Sequence, residues 1–159
     1  MKKEFVKGIL LSGILSMMVS CSDSKKEMPV VDKEQIKKEI QAKEDEFASV
    51  VNSGQLKDIG YYAEDATTFF QNREPLVGKQ AIKDFLVADV LANPNKIEFK
   101  TNEVFVSNDG NQVVEIGYFK VTDSTNAVIN TGNYMTLFEK RNGKYVSVRD
   151  MSASDRPVE

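Results

Sequence analysis

At "NPN", residues 93–95, the apolar residues of this chain change their spacing from about 3.6 to 2, and that switch limits the folds open to it. Before the switch the pattern is helical. Ile36, Ile40, Phe47, Val50 and Val51 share one face, with the lysines and glutamates elsewhere. Asp32 followed by Gln35 makes a capping-box pattern, Val31 and Ile36 can staple across it, and Gly54 stands where a left-handed cap is wanted. A first helix over 33–52 is expected. Leu56, Ile59 and Tyr62 suggest a short second helix, and "TTFF" a short strand over 66–71. Gly78 opens a third helix with Ile82, Phe85, Leu86 and Leu91 on its apolar face. It must end before Pro94, which has no amide to donate and restricts the residue before it.

After the switch, "KIEFKTNEVFVS", "QVVEIGYFKVTD", "VINTGNYMTLFEK" and "KYVSVRDMSAS" alternate as four long strands. "NDGN" and "RNGK" carry the Asp-Gly and Asn-Gly signals of tight hairpins. Helices followed by an antiparallel meander define an α+β domain. Several strands are apolar on both faces, as with Val114 and Ile116 against Phe119 and Val121. One face can pack on the helices. The other needs a cover, and a second copy of the chain is the simplest source, so a homodimer is expected.

A length of 159 residues suits one domain. The N-terminal stretch reads as an address. "MKKEF" is basic, "VKGILLSGILSMMV" is apolar, and Ser20 precedes Cys21, which is the layout of a secretory signal. The apolar run is well short of the roughly 20 residues needed to span a bilayer. Cys21 is the only cysteine, so no disulfide can form within the chain. "MVSC" resembles a bacterial lipobox with Met18 in the usual leucine place. The resemblance implies acylation of Cys21, and several acyl chains hold a protein firmly to a membrane. Residues 1–20 are therefore expected to be a lipoprotein signal, 21–31 a polar tether and 32–155 the domain, anchored in the bacterial cell envelope on its periplasmic or outer side.

Composition removes several chemistries. The chain has no histidine, which excludes Ser-His-Asp and Cys-His catalysis and histidine-ligated metal. Its net charge is −3. No lysine and arginine cluster of the kind that binds nucleic acid is visible. Neither a carboxylate cage for a metal nor a phosphate loop can be recognised, so no metal and no cofactor is expected.

The order of these strings resembles a known family. A long helix ending in "NSG", then "YYAEDAT", then "LVGKQAIKDF", then a last strand "YVSVRDMSASD" is similar to the nuclear-transport-factor-2-like superfamily, in its SnoaL-like and ketosteroid-isomerase-like branch. The resemblance spans about 33–155. It implies a cone-shaped, cystatin-like fold, with three N-terminal helices on a curved antiparallel sheet around an apolar pocket, and often a dimer. Such a fold hosts many activities and many proteins with none, so the residues must decide. In the ketosteroid isomerase branch a carboxylate base sits on the first strand and a tyrosine on the first helix. Those places fall here on Phe70 and Phe47, whose rings can neither take a proton nor donate one to an oxyanion.

A pocket without that chemistry is expected, lined by Phe47, Phe70, Phe85, Tyr118, Tyr134 and Asp150. Asp150, beside Arg149 on the last strand, is the one candidate catalytic acid, and a surface Arg-Asp pair is its competing reading. Glu64 and Asp65 are neighbours and point apart. The lysine-glutamate run over 33–46 reads as a solvated helix face. The expected function is non-catalytic binding of a small hydrophobic ligand. The alternatives are an isomerase- or dehydratase-type enzyme using Asp150 with a tyrosine, and an envelope protein-interaction domain.

Overall fold

A computed structural model describes residues 31–157. The expected signal, Cys21 and the tether up to residue 30 lie outside the described residues. Helix α1, Lys33–Ser53, starts where its cap requires: the Asp32 carboxylate accepts from the Gln35 amide at 3.0 Å, freeing that N–H from its lack of a helical partner. It ends on Gly54 at φ 69°, whose N–H returns to the Val51 carbonyl. A 3-10 turn, Leu56–Asp58, leads to strand β1, Tyr62–Phe69. Two residues of β2, Leu76–Val77, fold back on β1 before helix α2, Lys79–Ala92. The four long strands are β3 (Lys96–Val106), β4 (Gln112–Thr122), β5 (Val128–Arg141) and β6 (Lys144–Ser154).

These make one sheet in the order β2-β1-β6-β5-β4-β3. The β3 to β6 meander is antiparallel, with Asn142 at φ 53° and Gly143 at φ 78° giving the β5–β6 hairpin the primed turn that matches strand twist. Strand β1 pairs parallel to β6. No hairpin can join β1 to β6, since α2 and the whole meander lie between them in sequence. Register shifts near Thr101 and Leu137 mark bulges, which bend a sheet locally.

The long helix closes the β3 edge of this sheet. The Asn52 side-chain amide exchanges both bonds with the Ile97 backbone, at 2.9 and 2.8 Å. The Gln41 amide does the same across Phe99 O (3.1 Å) and Thr101 N (2.8 Å), and Lys37 Nζ reaches the Asn102 carbonyl at the bulge. Two amide side chains thus take the place of a further strand and shield an edge that would otherwise template association. The same helix buries Ile36, Ile40, Glu44, Phe47 and Ala48 against the sheet.

Several expectations are corrected. Two α-helices are present among the described residues, not three; the second is a single 3-10 turn, too short to hold an α-helical turn, and Tyr62 belongs to β1. The first strand begins at Tyr62 and ends at Phe69 because pairing with β6 sets its limits. The sheet is mixed rather than wholly antiparallel, and β2 was not foreseen from its two residues. The outer sheet face is apolar, as the alternation implied: Phe69, Met151, Met135 and Ile116 form one cross-strand row, and Met151 is 53% exposed.

Replacing Gln41 and Asn52 together by alanine removes four hydrogen bonds from the β3 edge. At about 1 kcal/mol for each net bond, the double variant is expected to unfold at clearly lower denaturant than the parent. An unchanged midpoint would show that the amides are incidental.

Candidate functional site

Between α1, α2 and the inner sheet face lies a cavity of about 300 Å³. Its walls are rings and aliphatic chains: Phe47 from α1, Phe85 and Leu86 from α2, Phe99 from β3 and Phe119 from β4, with Phe70 just past β1. Phe47 stacks on Tyr61 with centroids 4.4 Å apart, and Phe70 tilts against Phe85 at 4.8 Å. One end is exposed and polar, with Asp89 and Asn93. The other end is buried and holds Glu44, Tyr61, Tyr62 and Tyr134, with Asp150 half-buried where it meets the cavity.

Five of the six residues expected at the pocket therefore line a single cavity: Phe47, Phe70, Phe85, Tyr134 and Asp150. Tyr118 does not. The pleat places it on the outer face, 49% exposed and in register with Asn133, while its neighbours Gly117 and Phe119 take the inner face. Gly117 is there for Tyr134: a methyl group at that position would collide with the Tyr134 ring. The adjacent acids Glu64 and Asp65 lie outside the cavity in surface ion pairs, Glu64 with Lys79 at 3.0 Å and Asp65 with both guanidinium nitrogens of Arg141. Arg149 and Asp150 point to opposite faces and make no pair.

The interior is not free of proton-transfer groups, contrary to the reading from sequence. Asp150 Oδ2 accepts from the Thr68 hydroxyl at 3.1 Å and the Tyr62 hydroxyl at 3.2 Å. Burial raises its proton affinity against those two donors, and the pKa stands at about 6. Glu44 is almost wholly buried and takes the Tyr61 hydroxyl at 2.5 Å. Glu115, wholly buried on β4, accepts from the Thr101 and Tyr134 hydroxyls at 2.5 and 2.9 Å. Its second oxygen, Oε2, meets no hydroxyl or amide donor, and the Glu44 carboxyl faces Glu115. Two such carboxyls cannot both be charged out of water. Burial first, and then the Glu115 charge, push Glu44 well above the carboxylate range, so the shared proton belongs on Glu44. Burial likewise keeps Tyr61 and Tyr62 protonated.

Glu44 was hidden inside the lysine-glutamate run, which is solvated on most of its length. The signal was its phase: Glu44 stands four residues from Ile40 and three from Phe47, on the apolar stripe. Glu115 shares parity with Val113 and Phe119, but strand alternation alone does not say which face is buried. Among the described residues no group of three or more carboxylates or thiols is arranged to hold a metal, and no helix is long and apolar enough to cross a membrane.

No family model matches the chain, and no curated protein sequence does. Solved structures match over most of its length. An NTF2-like protein with a cystatin-like fold from Novosphingobium aromaticivorans has a TM-score of 0.67 at 14% identity, covering 78% of this chain and 84% of its own. A function-unknown protein from Mycobacterium tuberculosis gives 0.68 at 20%, covering 83% and 79%. A ketosteroid isomerase-like protein from Erwinia carotovora gives 0.61 at 16%, covering 76% and 96%.

Asp150 also makes stability depend on pH. An ordinary aspartate titrates near 3.8 and the folded one at about 6, so the folded chain binds this proton more tightly. Its contribution is greatest below about pH 4 and is lost as pH rises through 6. Asp150→Asn removes that loss, and the melting temperature of the variant relative to the parent is expected to climb between pH 4 and 7.5. A difference that stays flat would rule out the raised proton affinity. Measured against known structures, this chain has the cystatin-like fold of NTF2-like proteins.

Proposed function

We propose that this chain is a small-molecule-binding domain that takes a compact, largely apolar ligand into the cavity between its helices and its sheet. The observation that carries this reading is the cavity itself. It has a ligand-sized volume of about 300 Å³, walls of Phe47, Phe70, Phe99 and Phe119, and a few convergent polar groups at one end. That combination is what small-molecule sites have in common. The fold is shared with a ketosteroid isomerase-like protein, but such a likeness supports a pocket and no particular reaction. A library of small hydrophobic compounds is expected to contain members that raise the melting temperature, and Phe70→Asp should abolish those shifts by placing a charge in the wall. Shifts that survive in Phe70→Asp would locate binding elsewhere.

Proton transfer to or from the bound ligand is the second reading. It is favoured by Asp150, a carboxyl that lines the cavity with a pKa of about 6 and so can both give and take a proton near neutrality. Phe47 and Phe70 fill places where ketosteroid isomerases carry polar groups, so any such chemistry runs through Asp150 and the tyrosines of the buried end. Turnover of a ligand found by the screen should then vanish in Asp150→Asn while binding persists.

The N-terminal sequence supports attachment to a bacterial envelope membrane through acylated Cys21, and the exposed row of Phe69, Met135 and Met151 supports a second copy covering the outer sheet face. Cys21→Ser is expected to move the protein from the membrane to the soluble fraction, and Met135→Glu, on that face, to shift the sedimenting species from dimer to monomer. Membrane retention of the first variant, or a parent that sediments as a monomer, would overturn the respective part.

A further inference from the structure

The charges at the cavity have one sign. Glu44, Asp89 and Asp150 line it, and among the described residues no lysine or arginine does. Glu115 lies just behind, bonded to the Tyr134 hydroxyl. The cations nearest in sequence or register are committed elsewhere: Arg149 projects from the outer face toward the Val148 and Asp65 carbonyls, and Arg141 and Lys79 pair with Asp65 and Glu64 at the surface. Arg73 stacks on the Phe85 ring at 4.2 Å but does not line the cavity. A carboxylate withdrawn from water is normally matched by a cation. Asp150 has two hydroxyl donors and no cationic partner among the described residues.

The walls supply the second half of the argument. Aromatic ring faces are electron-rich and attract a positive group, most strongly where water is excluded. Here Phe47, Phe99 and Tyr134 stand together, with Phe47 and Phe99 centroids 5.7 Å apart and Phe99 edge-on to Tyr134 at 5.4 Å. Rings and carboxylates in one hollow select against an anion on both counts. A neutral ligand gains the burial alone, whereas an ammonium group gains burial, ring contact and the missing counter-charge.

We propose that the cavity binds a small aromatic or alicyclic amine as its ammonium ion, with the charge against Asp150 and the hydrocarbon against the ring wall of Phe47, Phe99 and Phe119. This rests on the cavity being the ligand site. Bound there, the ammonium holds Asp150 ionised, so binding releases the proton that the empty site retains at mildly acidic pH. The ionisable groups that face Asp150 are Tyr61 and Tyr62 beside it at β1, Glu115 on β4 and Glu44 on α1, and none is a base that carries positive charge.

Tryptamine, 3-ethylindole and indole-3-propionate share a ring and differ in the charge of the end group. The chain contains no tryptophan, so indole fluorescence reports their binding without background. At pH 7.5 tryptamine is expected to bind at least about tenfold tighter than 3-ethylindole, and indole-3-propionate more weakly than either. Lowering the pH to 5 should weaken tryptamine severalfold and leave 3-ethylindole unchanged, since Asp150 takes up its proton. Asp150→Asn should reduce the amine-to-neutral ratio to near one. Equal affinity for the amine and the neutral compound, tighter binding of the acid, or a ratio unaltered in Asp150→Asn overturns the amine proposal and leaves the cavity reading standing. Binding of none of the three at millimolar concentration overturns both.

Discussion

Helix α1 lying along the β3 edge is the contact on which the rest of this structure depends. An edge strand has a row of unpaired backbone groups, and a helix has no backbone groups to spare for it. Gln41 and Asn52 solve the mismatch with side-chain amides that carry both a donor and an acceptor, as a strand residue does. Fixed in this way, α1 stands over the inner face at a set rotation. Phe47 then reaches the cavity wall, and Glu44, one turn earlier, reaches its buried end. A small rotation of the helix would send both elsewhere.

What meets in the interior is unusual for a pocket with such greasy walls. Three carboxyls, Glu44, Glu115 and Asp150, gather at its buried end, each held by its own tyrosine or threonine hydroxyls. Each hydroxyl offers a single proton, and each carboxylate wants several. The deficit is met in part by protonation, with Glu44 holding a proton toward Glu115. Glu44 and Asp150 both meet the cavity, and Asp150, with a pKa of about 6, is the one whose charge small changes in surroundings switch. A site built like this reads the charge of whatever enters it, because the alternative to a matching group is an uncompensated buried charge.

Much of this was legible before any coordinates. The Asp32 cap, the Gly54 stop, the Pro94 break and the Asn142–Gly143 turn are local signals, and each one places an element end to within a few residues. Phe47, Phe70, Phe85, Tyr134 and Asp150 were also assigned to one pocket, through a resemblance whose fold the solved neighbours share. Tyr118 failed because membership of a strand does not choose a face. Gly117 decides the matter by leaving room for the Tyr134 ring, a contact between strands that no window along the chain contains. Glu44 failed for the opposite reason: its phase was right for burial, but its charge and its neighbours argued for water.

The sequence by itself determined the two α-helices, the four long strands, two of their hairpin turns and the absence of histidine chemistry, since capping, periodicity and composition act within a few residues. Only the tertiary structure decided which acids leave water, because burial depends on what the rest of the fold brings alongside. Asp65 and Asp150 look alike as letters. One meets Arg141 at the surface, and the other meets Tyr62, Thr68 and a cavity.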